Sequence, residues 1–376
     1  PGLESDGPRG RTARFRYCHR DAQQTNIGLS TVAQAVSLLA SYRIHLVLTV
    51  LTGAAPVGSD LVCDIIRNVI MERAIRVEGL TKRFGAFIAV NDVSFSVKSG
   101  EIFGILGPNG AGKTTMLECI EGLQKADAGN ALVLGMNALE HPEKVKDRVG
   151  VQLQASAYFE RLTLTEILKL FGKMYSRRVE PEKLLEMVEL SDKANAVVKV
   201  LSGGQKQRFT LAASLVNDPE VVFLDEPTTG LDPQARRNVW ELIERMHDEG
   251  RTIVLTTHYM EEAQHLCGRV AVMDAGAIVA LDSPSELIKK LPIPFHIRLS
   301  TSVPVPMEEL AGLPGVQEPV TQDDDHYVLP SISAESTPPA LLQWLNDKGA
   351  SPLHLEVISA TLEDVFLELT GKELRD

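Results

Sequence analysis

"EIFGILGPNGAGKTTMLECIEGL", Glu101 to Leu123, sets an apolar strand, a glycine-rich turn and a helical pattern in immediate succession. That order is the context a phosphate-binding loop requires. Gly107, Gly110 and Gly112, with Pro108, Asn109 and Ala111 between them, let the backbone wrap phosphate oxygens. Lys113 is then placed to reach the β- and γ-phosphates and Thr114 to hold Mg²⁺, with Thr115 the last residue of the loop. A strand feeding such a turn and helix predicts an α/β fold with a mainly parallel sheet.

Downstream, "EVVFLDEP" (Glu220 to Pro227) is a strand apolar on both faces that ends in two carboxylates. Such strands belong at the centre of a parallel sheet, and their C-terminal ends lie where ligands bind. Asp225 is placed to join the Mg²⁺ shell, and Glu226 to polarise an attacking water. "TIVLTTH" ends the next apolar run at His258, beside the same phosphates if the two strands are neighbours. By itself that histidine reads as structural; the other motifs around it make it a candidate. Gln154, closing "RVGVQLQ", is a similar case, with Gln152 as the competing glutamine.

"VLSGGQKQRFTLAASL" (Val200 to Leu215) raises a different question, because Ser202, Gly203, Gly204 and Gln205 open a second helix suited to holding a phosphate. One chain carries two phosphate-type loops.

The chain's 376 residues allow two domains and an appendage. Hydrophobic content of 44% and charged content of 23% are ordinary for a soluble globular protein. A net charge of -12 argues against nucleic acid as the main partner. Cys18, Cys63, Cys119 and Cys267 are scattered without metal-ligand spacing, which predicts reduced thiols. No stretch is apolar for the roughly 18 residues a membrane helix needs. The best candidate, Tyr42 to Gly58, is interrupted by Gly53 and Pro56, so neither a membrane span nor a targeting segment is expected.

Residues 1–70 contain arginines but no lysine and hold no motif; they read as an N-terminal extension, disordered or upstream of a natural start near Met71. From 71 to 291 the chain reads as one nucleotide-binding unit. Short alternating runs open it, a helical pattern spans about 155–215, and strands then alternate with helices. Residues 292–376 read as a small α+β domain. Its expected order is a strand at Phe295–Leu299, a helix at Met307–Leu313, strands near Val316–Val320 and Tyr327–Leu329, a helix at Pro338–Lys348, a strand at Leu353–Ile358 and a closing helix at Leu362–Leu369.

Together these motifs resemble the ATP-binding subunit of ATP-binding cassette (ABC) transporters, over about Ile75 to Leu291. The resemblance implies a P-loop NTPase fold: a RecA-like core with an antiparallel β subdomain and a helical signature subdomain. It makes Gly107–Thr115 the Walker A loop, Val221–Asp225 the Walker B strand and Glu226 the catalytic base. Gln154 becomes the glutamine joining metal and water to the membrane partner. "LSGGQ" (Leu201 to Gln205) becomes the signature, Gly230–Asp232 the D-loop and His258 the γ-phosphate sensor. Phe84 in "TKRFG" stands where the family usually stacks a tyrosine on adenine. The second loop then has a purpose: two cassettes pack head to tail, and each signature faces the ATP on the other's Walker A loop. The tail "SATLEDVFLELTGKELRD" and "GVQLQ" resemble the ABC-2 type exporters of bacteria, daunorubicin-resistance-like and multidrug-like. Leu362, Val365, Phe366 and Leu369 are expected to form a stripe packing the small domain.

The resemblance implies an ATP-hydrolysing subunit with ATP and Mg²⁺, acting as a homodimer or paired cassette. It would dock peripherally on the cytoplasmic face of the membrane against a separate permease, without inserting itself. A soluble ABC ATPase acting on a macromolecular complex is the alternative, but such proteins usually carry two cassettes or a coiled-coil insertion. A P-loop phosphotransferase is the third reading, and it has no use for "LSGGQ" or a histidine switch.

Overall fold

The computed structural model describes residues 73–152, 158–323 and 325–371. The expectations for the N-terminal extension, Cys18, Cys63 and Gln154 lie outside those residues.

The described chain opens with β1 (Arg73–Phe84) and β2 (Phe87–Lys98), a hairpin longer than the short runs expected from sequence. Register shifts along this pair interrupt the alternation, so the sequence reads as several pieces. β4 (Ala128–Val133) and β5 (Met136–Asn137) complete an antiparallel sheet in the order β2-β1-β4-β5.

The central sheet has six strands. β3 (Ile102–Leu106), β6 (Val149–Gln152), β7 (Val221–Asp225), β8 (Thr252–Thr257) and β9 (Arg269–Asp274) run parallel in the order β9-β3-β8-β7-β6. β10 (Ala277–Asp282) adds an antiparallel edge. β3, β7 and β8 are buried along their whole length, which is why they read as unbroken apolar runs. Alternate residues supply two cores. Phe103, Ile105, Phe223 and Val254 pack towards the antiparallel sheet and α1 (Lys113–Ile120). Ile102, Leu106, Leu224 and Leu255 pack towards the helices on the other face.

Those helices are α3 (Leu164–Gly172), α4 (Pro181–Met187), α5 (Gly203–Ser214), α6 (Pro233–Asp248), α7 (Met260–Leu266) and α8 (Pro284–Lys289); the short α2 (Pro142–Lys146) precedes β6. Thr163 starts α3 with a capping box closed by Glu166, and Ser202 starts α5 the same way with Gln205.

The C-terminal part is a second antiparallel sheet, order β12-β13-β11-β14: β11 (Phe295–Thr301), β12 (Thr321–Asp323), β13 (His326–Ser331) and β14 (Pro352–Ser359). α9 (Met307–Ala311) and α10 (Thr337–Asp347) contribute Leu310, Leu341 and Leu345 to its core. Two expectations change here. Val316–Val320 is not a strand: Val316 makes one isolated bridge to Ser331, and the second strand of this sheet begins at Thr321. Pro319 lacks the N–H that a ladder there would use. The closing helix α11 (Leu362–Thr370) forms as expected, but its stripe does not pack the small sheet. Leu362, Val365 and Phe366 belong to the core that holds Ala263, Leu266 and Leu287 of the nucleotide-binding part. The chain leaves at β11 and returns to seal the unit it left, and residues 68–376 form one compact unit.

Candidate functional site

β3 delivers the glycine-rich loop to the C-terminal edge of the parallel sheet. Gly112 has φ 98°, and a Cβ there would sit 2.1 Å from the Ala89 carbonyl oxygen, so the last turn before α1 tolerates only glycine. A Cβ on Gly107 would meet the Met273 carbonyl oxygen at 2.2 Å. The loop is therefore held against β2 and β9 at a closeness that side chains forbid.

Lys113 is buried, and its Nζ donates to the carbonyl oxygens of Gly107 (2.8 Å) and Pro108 (3.1 Å). The same ammonium lies 3.4 Å from Glu226 Oε1. Burial pulls the Lys113 ammonium below its ordinary range, against the opposing charges of Glu226 and Asp225. A phosphate anion beside it would favour the charged form further.

β7 and β8 bring the acids and the histidine to the same edge. Thr114 Oγ1 donates to Asp225 Oδ1 at 3.2 Å, and the Thr256 hydroxyl donates to that same oxygen. Glu226 leaves the strand with φ 49°, a left-handed conformation rare for a residue with a side chain. Its N–H is held by Thr256, 3.0 Å from Oγ1. Thr229 Oγ1 donates to Glu226 Oε2 at 3.0 Å, and His258 Nδ1 lies 3.3 Å from that oxygen. Burial alone would raise the Glu226 carboxyl; Lys113, Thr229 and His258 overcome it and hold the group below the usual glutamate range. The result is an ionised carboxylate, largely shielded from water, beside a lysine and a phosphate-type loop. Such a group can orient and polarise a water.

Phe84 is half exposed at the tip of the β1–β2 hairpin. A cavity of 420 Å³ runs from Phe84 and Phe87 along the loop, past Asn109, Gly110, Thr114 and Thr115, to Glu226. Phe87 is an aromatic that sequence reading missed; it pairs with Phe84 across the two-residue turn at Gly85, and that spacing was the available signal. Ala111 and Pro108 shape the same loop. Gln152, the competing glutamine, is buried in β6 with its Nε2 3.4 Å from the Asp225 carbonyl oxygen.

Ser202, Gly203, Gly204, Gln205 and Asp232 do not line that cavity. They form a second group. Ser202 Oγ accepts from Gln205 N–H at 3.3 Å, Gln205 Oε1 accepts from Ser202 N–H at 3.0 Å, and Asp232 caps α6 through Ala235 N–H at 2.8 Å. A Cβ on Gly204 would approach the Ala235 Cβ at 3.1 Å, so α5 and α6 begin side by side. The chain thus presents one loop with carboxylates, histidine and lysine, and elsewhere a capped, glycine-rich helix start.

Hard oxygen donors at Thr114 and Asp225 suit Mg²⁺, which takes few protein ligands and keeps water or phosphate oxygens in its shell. Among the described residues, no group of three His, Cys, Asp or Glu fits a metal, so an ion here would need the nucleotide's oxygens as well.

A family model described as ABC transporter matches residues 90–229. Nod factor export ATP-binding protein I of Ralstonia nicotianae is 40% identical over 314 residues, covering 80% of this chain and 95% of that protein. The protein of the same name from Mesorhizobium japonicum is 38% identical over 315 residues, covering 81% and 88%. Among solved structures, the dimeric post-hydrolysis state of the ATP-binding cassette MJ0796, bound to ADP and Pi, superposes with a TM-score of 0.51 at 27% identity. That match covers 56% of this chain and 98% of the cassette.

Proposed function

The chain belongs to the ATP-binding proteins of ABC transporters, and from that membership we propose that it binds and hydrolyses ATP to energise a bacterial ABC-2 type exporter. The observation that carries this reading is the meeting of Lys113, Thr114, Asp225, Glu226 and His258 at one edge of the parallel sheet. ATP lies along the cavity with its base against Phe84 and Phe87 and its phosphates in the loop 107–115. Lys113 takes the β- and γ-phosphates, and Glu226 orients the attacking water. His258 senses the γ-phosphate. Mg²⁺, when bound by Thr114, Asp225 and Gln154, supplies charge neutralisation for the phosphates.

Lys113 and Glu226 are already paired, so the incoming γ-phosphate competes with Glu226 for the ammonium. Binding therefore releases the carboxylate towards water at the moment substrate arrives. The second group, Ser202 to Gln205 with Asp232, serves the ATP of a second cassette. Its N–H groups and helix start meet the γ-phosphate across a head-to-tail dimer, as the dimeric cassette with ADP and Pi supports. Hydrolysis removes the charge that bridges the two halves.

The relatives named for Nod factor export favour transport over a soluble role on a macromolecular complex. The translocation path is assigned to a separate permease; no helix among the described residues is long and apolar enough to cross a membrane. The chain docks on that permease peripherally, at the cytoplasmic face, through Gln154 and the helices α3 and α4.

Glu226→Gln should lower phosphate release by about 10²–10⁴-fold while retaining ATP, and ATP should then drive a dimer visible by sedimentation. Co-purification from native membranes should bring the permease with it. A strictly monomeric, fully active enzyme would falsify the reading.

A further inference from the structure

The two edges of the C-terminal sheet differ. β12 is three residues long, a short edge of the kind that resists further pairing. β14 is eight residues long, and every residue along it is exposed except Leu355, which is half buried. It carries no lysine, and its only proline is Pro352 at the start. Its one irregularity is the register shift at Leu353 near its start, so His354 to Ser359 form a regular open edge whose only acidic or basic charge is Glu356.

Register with β11 assigns the faces of β14. Val357 lies opposite Ile297 and Leu355 opposite Leu299, both fully buried, so Leu355 and Val357 stand on the core face, whereas Leu353 falls at a register shift and faces no β11 residue. Val357 is nevertheless 40% exposed, and Leu353 beside it 71% exposed. The core runs out to this edge and stops uncovered. On the other face, His354 and Glu356 stand beside each other, 3.6 Å apart, with His326 packed against His354.

The geometry points to a second copy of this chain as the occupant of that edge, through antiparallel β14–β14 pairing centred on Leu355. Three arguments select that register. A one-residue slip would place core-face side chains opposite outer-face ones, which the two-residue period forbids. Centring on Glu356 would set two glutamates directly opposite each other, and centring on His354 would set two histidines opposite each other. Centring on Leu355 puts the His354 of each copy opposite the Glu356 of the other, both within the regular part of the strand. Leu355 then meets its own counterpart on the two-fold axis. The strand is complementary to itself at one register, imidazole facing carboxylate at two places and leucine facing leucine between them, as an isologous contact requires. The two sheets become one of eight strands, and the open ends of both small cores close on each other. This contact uses no nucleotide, so it is separate from the ATP-bridged dimer.

The test is sedimentation velocity on the full chain without nucleotide. The natural sequence should dimerise with concentration. His354→Glu, which faces Glu356 with a like charge at two places, should weaken that dimer by about tenfold. The double exchange His354→Glu with Glu356→His should restore it, since the pairs are rebuilt in reverse. Cross-linking under oxidant supplies a second readout against the natural chain as background. Leu355→Cys should yield a covalent dimer, and Leu353→Cys should not. A chain that stays monomeric without nucleotide at its highest soluble concentration overturns the proposal. So does a dimer indifferent to His354→Glu, or a Leu355→Cys adduct formed with the permease instead of a second copy.

Discussion

Glu226 is charged and nearly buried at once, and its surroundings explain how. Without Lys113, Thr229 and His258, burial would push its proton affinity up and cost it the ability to accept a proton near neutrality. If Glu226 is the base, as proposed, activity falls only as pH drops through its lowered value. Thr229→Val removes one bond to the ionised form, so the acid limb of the rate profile should move up by about one pH unit, measured as phosphate release across pH. An unmoved limb would show that Thr229 does not tune the base. Glu121 is the opposite case and was invisible in the sequence, where "CIEGL" reads as an ordinary helix end. It is buried and neither side-chain oxygen has a hydrogen-bond partner. Burial, then Asp225 and Glu118, push its carboxyl up to about 8. The folded state therefore keeps a proton that the unfolded chain gives up from its ordinary range. Stability from this group is full at acid pH and is lost as pH rises towards 8. Glu121→Gln keeps the shape and removes the titration. It should stabilise the nucleotide-free chain at pH 8 by about 2–4 kcal/mol and much less at pH 5, read from chemical denaturation at both values.

At the scale of elements, the start of α5 separates two kinds of importance. Ser202 and Gln205 cap the helix for its own sake, which any helix could require. Gly203 has no such duty. Its backbone is not left-handed, and a Cβ added there meets nothing within 4 Å. Gly203→Ala should leave thermal stability unchanged to within about 0.5 kcal/mol. If this helix start faces a phosphate across a dimer, the same methyl should weaken ATP-driven dimerisation of a Glu226→Gln background by about tenfold or more. Equal dimerisation with and without the methyl would remove the signature from the interface. The motif and its helix were legible because loop, cap and apolar stripe are local. That Gly204 lies against Ala235, bringing the signature beside the start of α6, was not, because no local pattern encodes which two helices begin side by side.

For the molecule as a whole, α11 changes what counts as a domain. Its residues follow the small sheet in sequence yet complete the core around α7 and α8. α7 begins two residues after His258, so the tail packs on the helix that carries the histidine loop. Phe366→Ala should therefore destabilise the nucleotide-binding unit itself, by about 3–5 kcal/mol. Calorimetry should show one cooperative transition for the described unit, shifted down as a whole. Two separate transitions, with only the smaller one moved, would return α11 to the small domain.

The sequence alone determined the parallel sheet, the loop at Gly107–Thr115 and the acids at the end of β7, because each depends on residues within a few positions of one another. It also determined the existence of α11, through helical spacing at Leu362, Val365 and Phe366. Only the tertiary structure decided where that stripe is buried, which aromatic joins Phe84, and that Glu121 lies unpartnered in the interior. The reason is common to all three. Periodicity states that a face must leave water, whereas the partner it meets is chosen by chain segments brought together only on folding.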